Sequence, residues 1–106
     1  MDGEVSTAEL RDLLESGTDV TIVDVRSPDA FERGHIPGSE NVPLPRLTDE
    51  VGELEGAKRV VTVCPHGQAS VQAARLIAAY EGVDGPVESL APGLEGWDGE
   101  LEAGRE

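Results

Sequence analysis

The chain has almost no cysteine, lysine or aromatic residues. There is one cysteine (Cys64), one lysine (Lys58) and a single each of Trp, Tyr and Phe in 106 residues. One cysteine excludes an internal disulfide, so nothing calls for an oxidising compartment. No apolar run approaches the roughly 18 residues that a membrane-spanning helix needs. No basic-then-apolar leader follows Met1 either, so export and membrane association are not expected and the cytoplasm is the expected compartment. Basic residues are scarce as well: 8 Lys plus Arg stand against 22 Asp plus Glu, for a net charge of −14. Such a surface excludes nucleic acid as a partner, which needs a basic patch. No His, Cys or Asp cluster has metal-ligand spacing, and no glycine-rich loop fits a nucleotide phosphate, so no metal and no cofactor are expected.

Few aromatics with high net charge can signal disorder. Here the apolar residues instead fall in periodic blocks separated by turn residues. That pattern points to a single folded domain with an acidic, lysine-poor surface, as in proteins that work in concentrated salt, and a halophilic source is expected. At about 1 M salt the Debye length is roughly 3 Å, so the self-repulsion of that surface is largely screened. The domain is expected to span 1–106, with a core over about 5–98 and an acidic tail at 99–106.

Ser6-Thr7-Ala8-Glu9 has the form of a capping box and predicts a helix with Leu10, Leu13 and Leu14 buried, stopped at Gly17. Residues 20–25, Val-Thr-Ile-Val-Asp-Val, suit a strand buried on both faces. Ser27 with Pro28 behind it predicts a short helix that carries Phe31 inward and ends at Gly34. A short strand is expected over 40–44, then a helix capped by Thr48 that buries Val51 and Leu54. Residues 59–63 read as a strand and 70–80 as a helix, with Val71, Ala74, Ile77 and Ala78 inward and Gln72, Arg75 and Ala79 outward. A last strand is expected over 86–90. Alternating strands and helices imply an α/β fold: a mostly parallel central sheet flanked by helices on both faces. Ligands of such sheets gather at the carboxyl ends of the strands.

Two segments fall at such ends: Asp24-Val25-Arg26, and Cys64-Pro65-His66-Gly67-Gln68-Ala69-Ser70. The second links a strand to a helix. Its backbone N–H groups would turn inward to one point, with the positive end of the helix behind them. A thiol there is biased toward the thiolate, the form that attacks electrophiles. The bland reading of Cys64 is an inert core residue. For Asp24 and Arg26 a structural ion pair competes with a supporting role at the site. His35 reads as a hydrogen-bonding turn residue and Trp97 as a core plug.

Three segments together resemble the rhodanese-like family of single-domain sulfurtransferases. Val23-Asp24-Val25-Arg26 with Phe31-Glu32-Arg33-Gly34-His35-Ile36-Pro37-Gly38-Ser39, continued by Asn41-Val42-Pro43-Leu44, resembles the first signature. Val63-Cys64 and its loop to Ser70 resemble the active-site signature. Leu90-Ala91-Pro92-Gly93-Leu94-Glu95-Gly96-Trp97 resembles the closing segment. The resemblance implies a persulfide carried on Cys64 and cradled by residues 65–70. The sulfur would come from a small donor or a protein persulfide and pass to a thiol or cyanide. Two positions depart from the family pattern: Pro65 and Ala69 stand where basic residues are common, and Pro65 has no N–H to offer. His66 could restore a charge beside the sulfur. The departures suggest a weak response to thiosulfate, and leave open a module that binds or regulates without turnover. A cysteine phosphatase is excluded, because Ser70 occupies the position of its phosphate-gripping arginine.

Overall fold

The computed structural model describes residues 3–65, 67–91, 93–97 and 99–104. Five strands, β1 (Glu4–Val5), β2 (Thr21–Asp24), β3 (Glu40–Asn41), β4 (Val60–Val63) and β5 (Val87–Leu90), form one sheet. Their order is β1-β5-β4-β2-β3, and every strand pair is parallel. The helices are α1 (Thr7–Glu15), α2 (Pro28–Arg33), α3 (Leu47–Glu50) and α4 (Ala69–Ala78), with short 3-10 turns at Leu44–Arg46, Val51–Leu54 and Leu94–Gly96.

β4 is central, and all four of its residues are buried. Successive side chains point to opposite faces. Val60 and Cys64 therefore join Val23, Leu47, Leu54, Ala73, Ala74 and Ile77 in one layer. Val61 and Val63 join Leu10, Ile22, Ile36 and Leu90 in the other. Each fully buried Val, Leu or Ile contributes about 1.5–3 kcal/mol, so two such layers hold the sheet from both sides.

The capping signals act as read, but of the three leucines expected inside on α1 only Leu10 is buried; Leu13 is half-buried and Leu14 is exposed. Ser6 and Glu9 form both bonds of the capping box. The Ser6 amide and hydroxyl hold the Glu9 carboxyl below the ordinary carboxylate range. That contribution is present above the ordinary value and is lost as acid protonates Glu9. At the far end, Thr18 donates its amide to Leu13 and Gly17 donates to Leu14, which closes α1 with a Schellman motif. Ser27 caps α2 through the Ala30 amide, and Phe31 is buried.

Four further expectations change. β1 was not foreseen: two residues are too short to show a period, and β1 exists through its pairing with β5. The strand expected over 40–44 is regular only at Glu40–Asn41: Val42 and Leu44 still donate to the Asp24 and Val25 carbonyls, but Leu44 already opens a 3-10 turn that leads the chain away from the sheet. α3 starts at Leu47, so Thr48 lies inside the helix and is no cap. On α4 the inward stripe is Ser70, Ala73, Ala74 and Ile77, while Ala78 is exposed. That stripe runs the length of the helix, from Ser70 in the first turn to Ile77 in the last, and leaves Val71 half-buried.

The segment expected as a tail folds back. His35 and Glu102 exchange backbone hydrogen bonds of 2.9 and 2.8 Å, and Gly104 donates to the Glu32 carbonyl at 2.7 Å. His35 is more than a turn residue: it is buried, stacked on Phe31 at 3.7 Å, with Nδ1 2.8 Å from the Phe31 carbonyl. Trp97 packs half-buried against the layer that contains Leu10.

Candidate functional site

β4 delivers Cys64 to the carboxyl edge of the sheet, where the residue is only 2% exposed. The chain then curves back to start α4. Gly67 and Ser70 donate their amides to Cys64 Sγ at 3.1 and 3.2 Å. The Sγ–Ser70 Oγ distance is 3.3 Å. The N-cap residue of α4, Gln68, makes no side-chain capping bond. Instead the amide of Ser70, the second residue of the helix, points to the sulfur. Cys64 thus does what an N-cap oxygen does elsewhere, from six residues earlier in the chain.

This geometry has a direct electrostatic consequence. An N–H directed to sulfur binds a thiolate more strongly than a thiol, because the charged acceptor shortens and strengthens the bond. The positive end of α4 adds to the same preference. Both effects come from the backbone.

The loop is held from outside by the closing segment. Leu94 donates to the Cys64 carbonyl at 2.7 Å and Glu95 to the Pro65 carbonyl at 3.1 Å. Those carbonyls are thereby fixed against the closing segment. Gly67 and Gly93 meet backbone to backbone: a Cβ on Gly93 would lie 2.5 Å from both the Gly67 nitrogen and the Pro65 oxygen. A Cβ on Gly67 would strike the Ala91 carbonyl.

Of the other residues singled out in the sequence, Pro65 and Gln68 are exposed and Ala69 is half-buried. None of them is a cation. His66 lies outside the described residues. Asp24 and Arg26 sit one strand away, since Asp24 pairs in register with Val63. Arg26 grips Asp24 with two nitrogens, at 3.0 Å from Nε and 2.8 Å from the terminal nitrogen, and also donates to the Gly34 carbonyl at 2.7 Å. Asn41 ties the same corner by donating to the Asp24 and Arg26 carbonyls. The guanidinium is therefore matched to a buried carboxylate and builds the strand end. The larger described groove, of about 480 Å³, is lined by Pro28, Phe31, Ser39, Asn41 and Arg46 among others, and by no residue of the cysteine loop.

Two residues near the sulfur were not foreseen. Thr62 donates to the Ser70 carbonyl at 2.7 Å, and Ser89 Oγ lies 2.6 Å from Ser70 Oγ. A signal was available for one: Thr62 is a polar residue in an otherwise apolar strand and shares the face of Cys64 two positions on, whereas Ser89 follows Glu88 in a half-polar strand and gave none.

A family model described as "Rhodanese-like domain" matches residues 6–100. A thiosulfate sulfurtransferase GlpE of Pseudoalteromonas translucida is 33% identical over 94 residues, covering 89% of this chain and 87% of that protein. An HTH-type transcriptional regulator of Mycobacterium tuberculosis is 34% identical over 93 residues, but the chain spans only 40% of its length. Among solved structures, a rhodanese-like domain protein from Staphylococcus aureus superposes with a TM-score of 0.84 at 26% identity, covering 99% of this chain and 100% of that one.

Proposed function

We propose that this chain, which belongs to the rhodanese-like domain family, is a sulfurtransferase that carries sulfane sulfur on Cys64. The observation that carries this reading is the sulfur seated at the mouth of α4 with the Gly67 and Ser70 amides directed to it. In the first half-reaction the Cys64 thiolate attacks the outer sulfur of a donor R–S–S⁻. The donor S–S bond breaks, its electron pair leaves with the inner sulfur, and Cys64–S–S⁻ forms. In the second, a thiolate or cyanide attacks the terminal sulfur and takes it, and the Cys64 thiolate returns. No external oxidant or reductant is required. The amides that face the sulfur, with the helix dipole behind them, hold the anion at each stage.

The loop sets the donor class. Pro65 and Ala69 supply no cation, and the net charge of −14 repels a free dianion. A protein persulfide, whose affinity comes from the surface around the sulfur, suits this site better than thiosulfate. Thiosulfate:cyanide transfer is therefore expected to be slow, with a KM well above the micromolar range in dilute buffer. A low-micromolar KM there would overturn this donor assignment. Placement in the cytoplasm and work in concentrated salt belong to the same reading, and the salt assignment rests on charge alone.

The test is the intact mass of the protein after incubation with persulfide and thiosulfate donors, in dilute buffer and in molar KCl. A gain of one sulfur that a reducing thiol reverses is expected. A second reading is a module that binds or regulates without turnover, which the cation-poor loop favours. Folded protein that gains no sulfur from any donor would leave that second reading standing.

A further inference from the structure

We propose that Ser89 is a positioning residue for the cysteine: its hydroxyl directs the Ser70 hydroxyl toward Cys64 Sγ and so favours the thiolate. The proposal rests on Cys64 as the reacting group and adds a strand, β5, to the machinery around it.

Thr62, Cys64, Ser70 and Ser89 form a buried group of small polar residues beneath the start of α4. Thr62 and Ser89 are register partners on adjacent strands. Their face is the one that carries Val60, Cys64 and Val87, the layer under α4. Thr62 spends its proton on the Ser70 carbonyl at 2.7 Å, which fixes where the helix begins. The Ser70 hydroxyl is then left between two neighbours: Sγ at 3.3 Å and Ser89 Oγ at 2.6 Å.

That hydroxyl has one proton and must choose. With Cys64 as a thiol, S–H donates to Ser70 and Ser70 donates to Ser89. With Cys64 as a thiolate, the thiol proton has left to solvent and the chain reverses. Ser89 then donates to Ser70, and Ser70 donates to the sulfur anion. In the second polarity every bond of the chain points its hydrogen toward the negative charge, and each strengthens the next. An alanine at 89 removes the donor that holds the Ser70 oxygen. Nothing then turns the Ser70 proton to sulfur beyond the sulfur itself.

Among the described residues, few charges compete on the elements packed around this group. Asp24 and Arg26 at the end of β2 are paired with each other, as are Glu88 on β5 and Arg59 before β4. Arg75 on α4 and Glu95 of the closing turn are exposed.

The experiment is a pH titration of the single thiol in the full chain, followed by thiolate ultraviolet absorbance and by the rate of iodoacetamide alkylation. Ser89→Ala is expected to raise the midpoint by about half to one pH unit, part of the strength of a hydrogen bond to an anion. Ser89→Thr, which keeps the hydroxyl, is expected to leave the midpoint in place. Ser70→Ala is expected to shift it at least as far as Ser89→Ala. The double variant Ser70→Ala/Ser89→Ala should shift it no further than Ser70→Ala alone. Removal of both partners leaves no unpaired hydroxyl, so the double variant detects any effect of Ser89 that bypasses Ser70; should Ser89→Ala not fold, Ser89→Gly takes its place with the same expected shift. A Ser89→Ala curve that superimposes on the unmodified protein, or shifts that add in the double variant, would overturn the proposal. A shifted midpoint in a protein that gains no sulfur would instead sustain the relay and sink the carrier reading.

Discussion

Cys64→Ser is expected to leave the fold intact and to abolish sulfur uptake. Transfer should fall by more than about a thousand-fold, the scale on which loss of a covalent nucleophile is felt. The fold should survive because the site asks two things of residue 64. One is an acceptor for the Gly67 and Ser70 amides, which a hydroxyl oxygen can still provide. The other is the polarisable, far more readily ionised thiol that the proposed transfer needs, which serine does not offer. Cys64→Ala separates the two roles. It removes both nucleophile and acceptor, leaving buried amides short of a partner at a cost of about 1–3 kcal/mol. Denaturant melts of the three proteins, set beside their mass spectra after donor treatment, check both halves. If Cys64→Ser gained sulfur like the unmodified chain, the nucleophile would lie elsewhere. Were Cys64→Ala as stable as Cys64→Ser, the capping role of the sulfur would be wrong.

Gly93→Ala is expected to be strongly disruptive for a single-methyl change. Gly93 has φ of 74° and ψ of −178°, a region essentially confined to glycine, which costs a residue with a Cβ about 1–3 kcal/mol. The new methyl would also lie 2.5 Å from the Pro65 oxygen and the Gly67 nitrogen. Both are backbone atoms that cannot swing aside, and overpacking of this kind costs about 1–3 kcal/mol more. The variant should therefore lose roughly 3 kcal/mol. It should also react more slowly with donors, because the displaced segment is the one that fixes Gly67 and the Cys64 carbonyl. Gly38→Ala is the control: its φ is 84° but nothing lies within 4 Å of the added Cβ. Thermal melts of the two should differ, with Gly93→Ala losing more because the clash adds to the backbone cost. Equal losses would mean that the loop yields to the methyl and is not held by Gly93.

Much of this architecture was legible because it is written locally. Ser6 with Glu9, and Ser27 with Pro28, are short-range hydrogen-bonding devices, and a short window of sequence contains every atom they need. The run at 20–25 and the one at 59–63 are apolar on both faces, as central parallel strands must be. Cys64 could be picked out by the same reasoning, from a strand that ends, a glycine-containing loop and a helix that starts. Thr48 and Ala78 went otherwise for one shared reason. Each depends on how a helix is set against the sheet, which burial of Leu47 and Ala73 decided.

The sequence alone therefore determined most of the strands and helices, which residue stands out as the candidate nucleophile, and how little positive charge the loop around it holds. The tertiary structure decided what surrounds the sulfur. Ser89, Gly93 and Leu94 lie 25 or more positions along the chain from Cys64, and only the order of β4 and β5 in the sheet brings them beside it. A hydrogen bond or a steric contact is settled within a few ångströms of space. Between residues so far apart in sequence, that proximity is created by the folding of the sheet.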